Sequence, residues 1–411
     1  MTSLRPVADH VAAVLAGAAP LPAVRLELTD AEGLVLAEDV TAAWPLPSFD
    51  NSSMDGYAVL VADVADAAVE SPVTLPVRGD IAAGQSADDP LLAGTAIRIM
   101  TGAPVPPGAD AVVPVEWTDG GTETVTITLA PDPGAHIRRA GEDVDTGSIV
   151  VTAGTVITAR VVAMLAAVGR GSVLVHPRPR VTVISTGDEL VDPGTDPGFG
   201  QIVDSNSYML TAAAREAGAT ARRVGPVPDD DATLARVLAE EAARCDVILT
   251  SGGVSMGAYD TVKAVLSDLG GVEFVKVAMQ PGMPQGCGTV DGTRIVTLPG
   301  NPVSSYVSFE VFVRPLIRRL LGHVDIDRPR VHAICTRAFP SPAHKTQFAR
   351  VRLGTRDGLL VAEPEGGQGS HIIGGLSRAN GLAIVPPETT EVQEGQELVV
   401  IDLLAAEGRS S

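Results

Sequence analysis

Between Val181 and about Leu321 the chain alternates short apolar runs with helical repeats, and this alternation restricts its fold more than any other feature. VTVIS at 181–185, ATARRVGPV at 219–227, DVILTS at 246–251, VEFVKVAM at 272–279 and TRIVTL at 293–298 read as strands. Helices are expected over Tyr208–Ala217, Leu234–Ala243, Thr261–Leu269 and Ser304–Leu321, with Leu234, Val237, Leu238 and Ala242 forming one apolar face at three- and four-residue steps. Short apolar strands joined by such crossovers predict a doubly wound parallel sheet with helices on both faces, an α/β module over 177–327.

The flanks read differently. LPVRGDI at 75–81, AIRIM at 96–100, AVVPVE at 111–116 and TVTITL at 124–129 are short β segments between Gly and Pro turns, so a small β domain is expected over 46–139. The stretch 157–168 looks helical, and HPRPR at 176–180 is a Pro-rich connector. Beyond Arg328 the runs VHAICT, FARVRL, GLLVAE, GLAIVP and ELVVIDL predict a terminal β-barrel or sandwich over 328–411. The 411 residues, 45% of them hydrophobic, exceed what one core organises, which agrees with several domains. Aromatics are only 3%, so the cores must be built from Val, Leu, Ile and Ala.

A formal charge of −20 with no offsetting basic run argues against nucleic acid or anionic membrane as partner. The three cysteines, Cys245, Cys287 and Cys335, are widely spaced and odd in number, so no disulfide framework is expected and a reducing cytoplasm fits. The apolar run 11–19 lacks a basic leader and reads as a buried or amphipathic helix, not a signal peptide. An acidic chain can still bind an anion if a divalent metal and free backbone N–H groups neutralise it locally.

Ligands of parallel sheets sit beyond the carboxyl ends of the strands. There the chain carries Ser185 with Thr186–Glu189, then Ser251, Gly252, Gly253 and Ser255 with Asp260 just after, and then Pro299, Gly300, Asn301 and Pro302. Each turn contains glycine, and acidic side chains beside free N–H groups suggest a phosphate held with a hard cation. None matches a Rossmann or P-loop pattern. Asp204, Ser205 and Asn206, and Asp229 to Asp231, precede helices; taken alone they read as caps. In the N-terminal half, Asp55 sits among small residues, and Thr101 and Gly102 follow an apolar strand before a run of prolines. As isolated features these read as structural loops.

Together the strings NSSMDGYA, IMTGAPVP, AGED, STGDEL, DSNS, PDD, TSGGVSMGAYD, LPGNPVS and GGQGSHI resemble, in order and across nearly the whole chain, the family of MoeA and the gephyrin E domain. The resemblance implies four domains: an elongated first domain over 1–45 and 140–176, an inserted β domain over 46–139, a third domain like the MogA and MoaB pterin-binding proteins over 177–327, and a C-terminal β-barrel over 328–411. It implies a homodimer whose cleft sets the third domain of one subunit against the N-terminal part of its partner. Asp55, Thr101 and Asp143 then correspond to cleft residues contributed by that partner. Glu189, Asp229, Asp260, Pro299 and Pro302 correspond to cleft residues of the third domain, and Arg350 and Ser370 to those of the barrel. Glu189 and Asp260 are implied as magnesium ligands, with the turn from Ser251 to Ser255 near the nucleotide phosphate.

The implied activity is insertion of molybdate into adenylylated molybdopterin with release of AMP, with a MogA-like adenylyltransferase as a further partner. Two alternatives stay open from the residues: adenylyl transfer itself, since the α/β module alone resembles proteins that do this, and a non-catalytic scaffold of the gephyrin E type. One departure matters. Where the family often has Lys-Pro-Gly-Lys-Pro, this chain has Gln280, Pro281, Gly282, Met283 and Pro284, so two cations are missing.

Overall fold

In a computed structural model, which describes residues 4–252 and 261–405, the strand and helix alternation becomes one six-stranded sheet. A first helix, α1 (Val7–Leu15), precedes a β unit of β1 (Gly56–Val59), β2 (Val73–Ile81), β3 (Ala96–Ile99), β4 (Ala111–Pro114) and β5 (Thr124–Ile127). These five strands form one sheet in the order β4-β1-β3-β2-β5. Outside it, Val24–Glu27, Ser172–His176 and Val35–Leu36 make a small three-stranded sheet. Helix α2 (Ala159–Ala167) packs with that sheet around Leu36, Ile157, Leu165, Val173 and Val175. The first and last pieces of the N-terminal region thus meet although about 120 residues separate them, because each apolar face lacks another partner.

The module runs β6 (Arg180–Thr186), α3 (Asn206–Glu216), β7 (Thr220–Val227), α4 (Asp231–Ala242), β8 (Val247–Ser251), α5 (Thr261–Leu269), β9 (Val272–Lys276), β10 (Pro284–Val290), β11 (Thr293–Leu298), α6 (Pro302–Ser308) and α7 (Arg314–Leu320). A π-helical turn, Phe309–Val313, joins the last two helices. The sheet order is β7-β6-β8-β11-β10-β9.

Alternate strand residues face opposite layers, as the two-residue period requires. Val181, Val183, Val247, Leu249, Val296 and Leu298 pack with α3, α6 and α7, while Ile184, Ile248 and Ile295 pack with α4 and α5. Leu234, Leu238 and Ala242 of the expected α4 face are buried, so Leu238→Ala should cost about 2–5 kcal/mol. The all-parallel expectation needs correction: β10 runs antiparallel to both β11 and β9, so the sheet is mixed. The extra strand lets the chain return within the sheet by tight turns, with no helix between β10 and β11.

Helix α1 is recruited to this module. Val14 is buried in its core, Val7, Val11 and Leu15 pack against that core, and His10 meets Phe312 edge to face with ring centroids 4.7 Å apart. The C-terminal strands β12 (Arg330–Cys335), β13 (Thr346–Arg356), β14 (Leu359–Pro364), β15 (Gly381–Val385) and β16 (Glu397–Asp402) pair in the order β13-β14-β12-β16-β15. A further β13–β15 pairing closes them into a barrel, which removes the sheet's edges. Arg328 fixes the barrel to the module: its Nε donates to the buried Glu310 at 2.6 Å and its Nη1 to the Leu403 carbonyl at 3.0 Å.

Candidate active site

The strand order reverses at β6, whose neighbours β7 and β8 follow it on opposite sides, so the crevice beyond the carboxyl ends of β6 and β8 is where a ligand would enter. Ser185 and Ser251 are register partners at that edge, and Ser251 pairs in turn with Leu298 of β11. The sequence thus delivers the ends of three strands to one place.

Asn206 ties them together. It is the first residue of α3, and its Nδ2 donates to Ser251 Oγ at 2.9 Å and to the Gly300 carbonyl at 2.6 Å. Its Oδ1 is buried with no partner among the described residues, an acceptor already desolvated. Gly252 N donates to the Leu298 carbonyl at 3.0 Å, and a Cβ on Gly300 would lie 3.6 Å from the Gly252 Cα, so these two turns abut. Pro299 is buried, its carbonyl accepting from the Ser305 hydroxyl, while Asn301 is exposed and caps α6 through its backbone, with Pro302 at the first helical position.

The capping expectation divides. Asp204 does cap α3, accepting from Ser207 N at 3.0 Å, and it also accepts from Ser185 Oγ at 2.7 Å and Ser207 Oγ at 2.5 Å. Ser205 occupies the N-cap position but makes no side-chain cap bond. Asp230 caps α4 through Thr233 N at 2.8 Å. Asp229 is exposed and not a cap; its N–H donates to Asp188 Oδ1 at 3.2 Å, which joins the turn after β7 to the turn after β6. Glu189 is exposed beside them, and a Cβ on Gly187 would come 2.5 Å from its Oε2, so the glycine leaves room for the carboxylate. Gly253, Ser255 and Asp260 lie outside the described residues.

The barrel reaches the same junction. Val303 N donates to the Ser370 carbonyl at 3.2 Å, setting the 366–372 loop against the start of α6. Arg350, 1% exposed, donates from Nη1 to the Gly369 carbonyl at 3.2 Å and from Nη2 to the Gly367 carbonyl; among the described residues its Nε has no partner, and burial lowers its pKa from the ordinary value. A buried guanidinium bonded to neutral carbonyls retains its full charge for an anion. The Gln280–Pro284 loop lies close by, since Gln280 pairs with Gln347 of β13. Gln285 Nε2 holds that loop, donating to the Gly282 carbonyl and to Ser308 Oγ, each at 2.6 Å.

Asp55 and Thr101 meet elsewhere, Asp55 just before β1 and Thr101 just after β3, and Asp143 lies in the AGED turn. Thr101 donates to Asp55 Oδ1 from both its N–H and its hydroxyl at 2.7 Å, and these bonds, the backbone one first, hold the exposed carboxyl below its usual pKa. Gly102 N donates to the Ser52 carbonyl at 2.8 Å and Asp143 N to the Leu46 carbonyl at 3.0 Å. Asp50 fastens the AGED turn, accepting from Ala140 N at 2.8 Å and Arg139 Nη1 at 2.6 Å. Sequence reasoning missed the joining roles of Asp204, Gln285 and Asn206. A polar residue placed just before a helix carries the same local signal whether it caps or crosses to another strand.

Family models match in chain order: the MoeA N-terminal region (domain I and II) over 5–169, a "Probable molybdopterin binding domain" over 182–319, and the MoeA C-terminal region (domain IV) over 332–403. A Mycobacterium tuberculosis protein named molybdopterin molybdenumtransferase 2 is 48% identical over 406 residues, covering 97% of this chain and 100% of the relative. The Bacillus subtilis molybdopterin molybdenumtransferase is 37% identical over 91% of this chain and 88% of its own length. A solved molybdopterin biosynthesis MoeA protein from Pyrococcus horikoshii superposes with a TM-score of 0.85 at 30% identity, covering 98% of this chain and 100% of that one. By sequence along almost its whole length and by fold, the chain belongs to the MoeA family.

Proposed function

We propose that this chain is a molybdopterin molybdenumtransferase that acts in molybdenum cofactor biosynthesis, binding adenylylated molybdopterin beyond β6, β8 and β11 and exchanging its AMP for molybdate. The observation that carries the reading is the junction itself: Asn206 joins the ends of β8 and β11, with the exposed Glu189 and Asp229 on one side and the buried Arg350 on the other. A phosphate-bearing pterin and an oxyanion both need cationic or N–H partners on a chain of charge −20, and the turns and Arg350 supply them locally.

The scissile bond is a phosphoanhydride, so positioning and charge neutralisation contribute more than a covalent nucleophile would, and no serine or cysteine is needed in that role. Magnesium would be held by Glu189 and Asp260, whose hard carboxylate oxygens suit it; the room left by Gly187 for the Glu189 carboxylate supports that fit. Bound there, the ion neutralises pyrophosphate charge. Asp55, Thr101 and Asp143 complete the cleft from the partner of a homodimer. A cytoplasmic location agrees with free Cys245, Cys287 and Cys335 and with the lack, among the described residues, of a helix long and apolar enough to cross a membrane.

The test mixes the protein with adenylylated molybdopterin, magnesium and molybdate and follows AMP and protein-bound molybdenum together. Both appear in step. AMP released with no molybdenum retained overturns the reading, as does an adenylylated product formed by the protein alone when it is given free molybdopterin and ATP instead. With free molybdopterin and ATP supplied in place of the adenylylated pterin, AMP should appear only when a MogA-like adenylyltransferase is added to form the adenylylated pterin with release of pyrophosphate, which tests the remaining partner.

A further inference from the structure

One guanidinium sits at both ends of the loop that follows Glu189. Arg223, on β7, donates through Nη2 to Tyr208 Oη at 2.9 Å, and the same nitrogen lies 2.9 Å from Asp192 Oδ1. Its Nη1 donates to the Gly225 carbonyl at 3.0 Å and lies 3.8 Å from Asp204 Oδ2. The guanidinium carbon stacks 4.2 Å from the centroid of the Tyr208 ring, which adds a cation–π contact. Asp192 begins the loop and Asp204 ends it. Between them residues 192–203 are all exposed, with Pro193, Pro197 and three glycines among them.

The base of the loop is a minimal parallel pairing of Leu190–Val191 with Ile202–Val203. Its two backbone bonds run from Ile202 N to the Glu189 carbonyl at 2.8 Å and from Asp204 N to the Val191 carbonyl at 2.9 Å. Two such bonds at an exposed base are weak by themselves. Asp204, by contrast, is buried and bound to Ser185 at the end of β6 and to Ser207 in α3. We infer that Arg223 is a positioning residue that straps the Asp192 end of the loop to this buried anchor and so fixes Glu189, which lies three residues before Asp192, at the mouth of the crevice.

The consequence for Glu189 rests on the function proposed above, so the experiment has two readouts. Arg223→Met removes the charge and the fork while keeping much of the side chain's apolar stem; Arg223→Lys keeps the charge but cannot hold Asp192 and Asp204 with one planar group. In hydrogen exchange on the protein alone, Arg223→Met should lower the protection of the Ile202 and Asp204 amides by about tenfold, with Arg223→Lys between it and the wild type. In the AMP-release assay, KM for adenylylated molybdopterin at fixed magnesium should rise by about tenfold, with kcat within about twofold. Unchanged protection in Arg223→Met overturns the strap. Lost protection with an unchanged KM, or a fall in kcat alone, overturns the positioning of Glu189. A wild-type protein that releases no AMP overturns the functional reading instead, while the exchange data still decide the strap.

Discussion

The two groups of candidate residues are built in opposite ways. In the module, Ser185, Asn206, Ser251 and Pro299 are bonded into neighbouring elements: Ser185 to Asp204, Asn206 Nδ2 to Ser251 and the Gly300 carbonyl, and the Pro299 carbonyl to Ser305. In the N-terminal region, Asp55 and Thr101 bond to each other and otherwise face solvent, and among the described residues Asp143 is held through its backbone alone. Among the described residues no hydrogen bond or ion pair joins the groups. The module's turns are interlocked within one chain, whereas the Asp55 carboxylate, held by Thr101, is presented to solvent. The homodimer proposed above would use that difference, each chain lending its Asp55 face to the other's module.

The sharpest way to break that comparison is complementation between subunits. Asp55→Asn and Glu189→Gln should each lower AMP release on the order of a thousandfold, the scale set by losing one electrostatic element of an active site. Random exchange makes half the dimers mixed, and one of the two clefts in each then carries both native residues. The mixture should therefore recover about a quarter of wild-type activity. A mixture as inactive as its components would place both groups in the same chain's site.

The module's hold on α1 can be tested through His10, which is fully buried with neither ring nitrogen partnered among the described residues. Burial, and secondarily the Arg5 charge, lowers its pKa to about 4 from 6.5, while Glu273 opposes this weakly. Above pH 6.5 the ring is neutral folded and unfolded. As pH falls from there towards 4 the unfolded chain takes up the proton and the folded one does not, so about 3 kcal/mol of stability is lost across that window and no more below it. In urea titrations His10→Leu should flatten the pH dependence there. Identical pH slopes for the two proteins would mean that α1 leaves the module before the core melts.

How far the sequence carried this contrast depended on whether a feature was periodic. Strands β6, β8 and β11 and helix α5 follow from apolar repeats within a residue or two. Strand β10 escaped because it carries glycines where side chains would signal a strand. A Cβ on Gly288 would strike the Gly271 carbonyl oxygen at 1.9 Å, so close backbone approach excludes the residues that make strands readable, and with β10 went the antiparallel half of the sheet. The attachment of α1 was unreadable for another reason: its amphipathic face states that it packs, not against what. Of the site, the turns were legible from their glycines and acids, but the bonds between turns were not, because Asn206 and Asp204 look locally like caps.

A smaller effect separates the residues proposed for magnesium from those that only shape the turns. Glu189→Gln, assayed at saturating substrate, should raise the magnesium concentration for half-maximal residual AMP release by about tenfold. Asp230→Ala removes the α4 cap bond to Thr233 and should cost about 1 kcal/mol of stability while leaving the magnesium titration unchanged. Equal shifts in both variants would show that the titration reports loosened turns and not a lost ligand.

The smallest expected effect concerns the loop between module and barrel. Its backbone is set by uncharged contacts: Gln285 donates to the Gly282 carbonyl and Ser308, and Val277 N donates to the Met283 carbonyl at 2.7 Å. Gln280 and Met283 are only half-buried, so lysines there can reach water without disturbing those bonds. Arg350 already supplies a buried cation on β13, three residues beyond the strand partner of Gln280, so added charge would reinforce anion binding without creating it. A single screened interaction at a few ångströms is worth about 1 kcal/mol, which makes Gln280→Lys with Met283→Lys lower the half-saturating molybdate concentration roughly fivefold. Raising salt should shrink that gain, since partly exposed charges are screened. If Arg350→Gln abolishes molybdate retention and the double lysine variant restores none of it, the oxyanion is held by the barrel alone, and the loop's neutral side chains are without consequence for the metal.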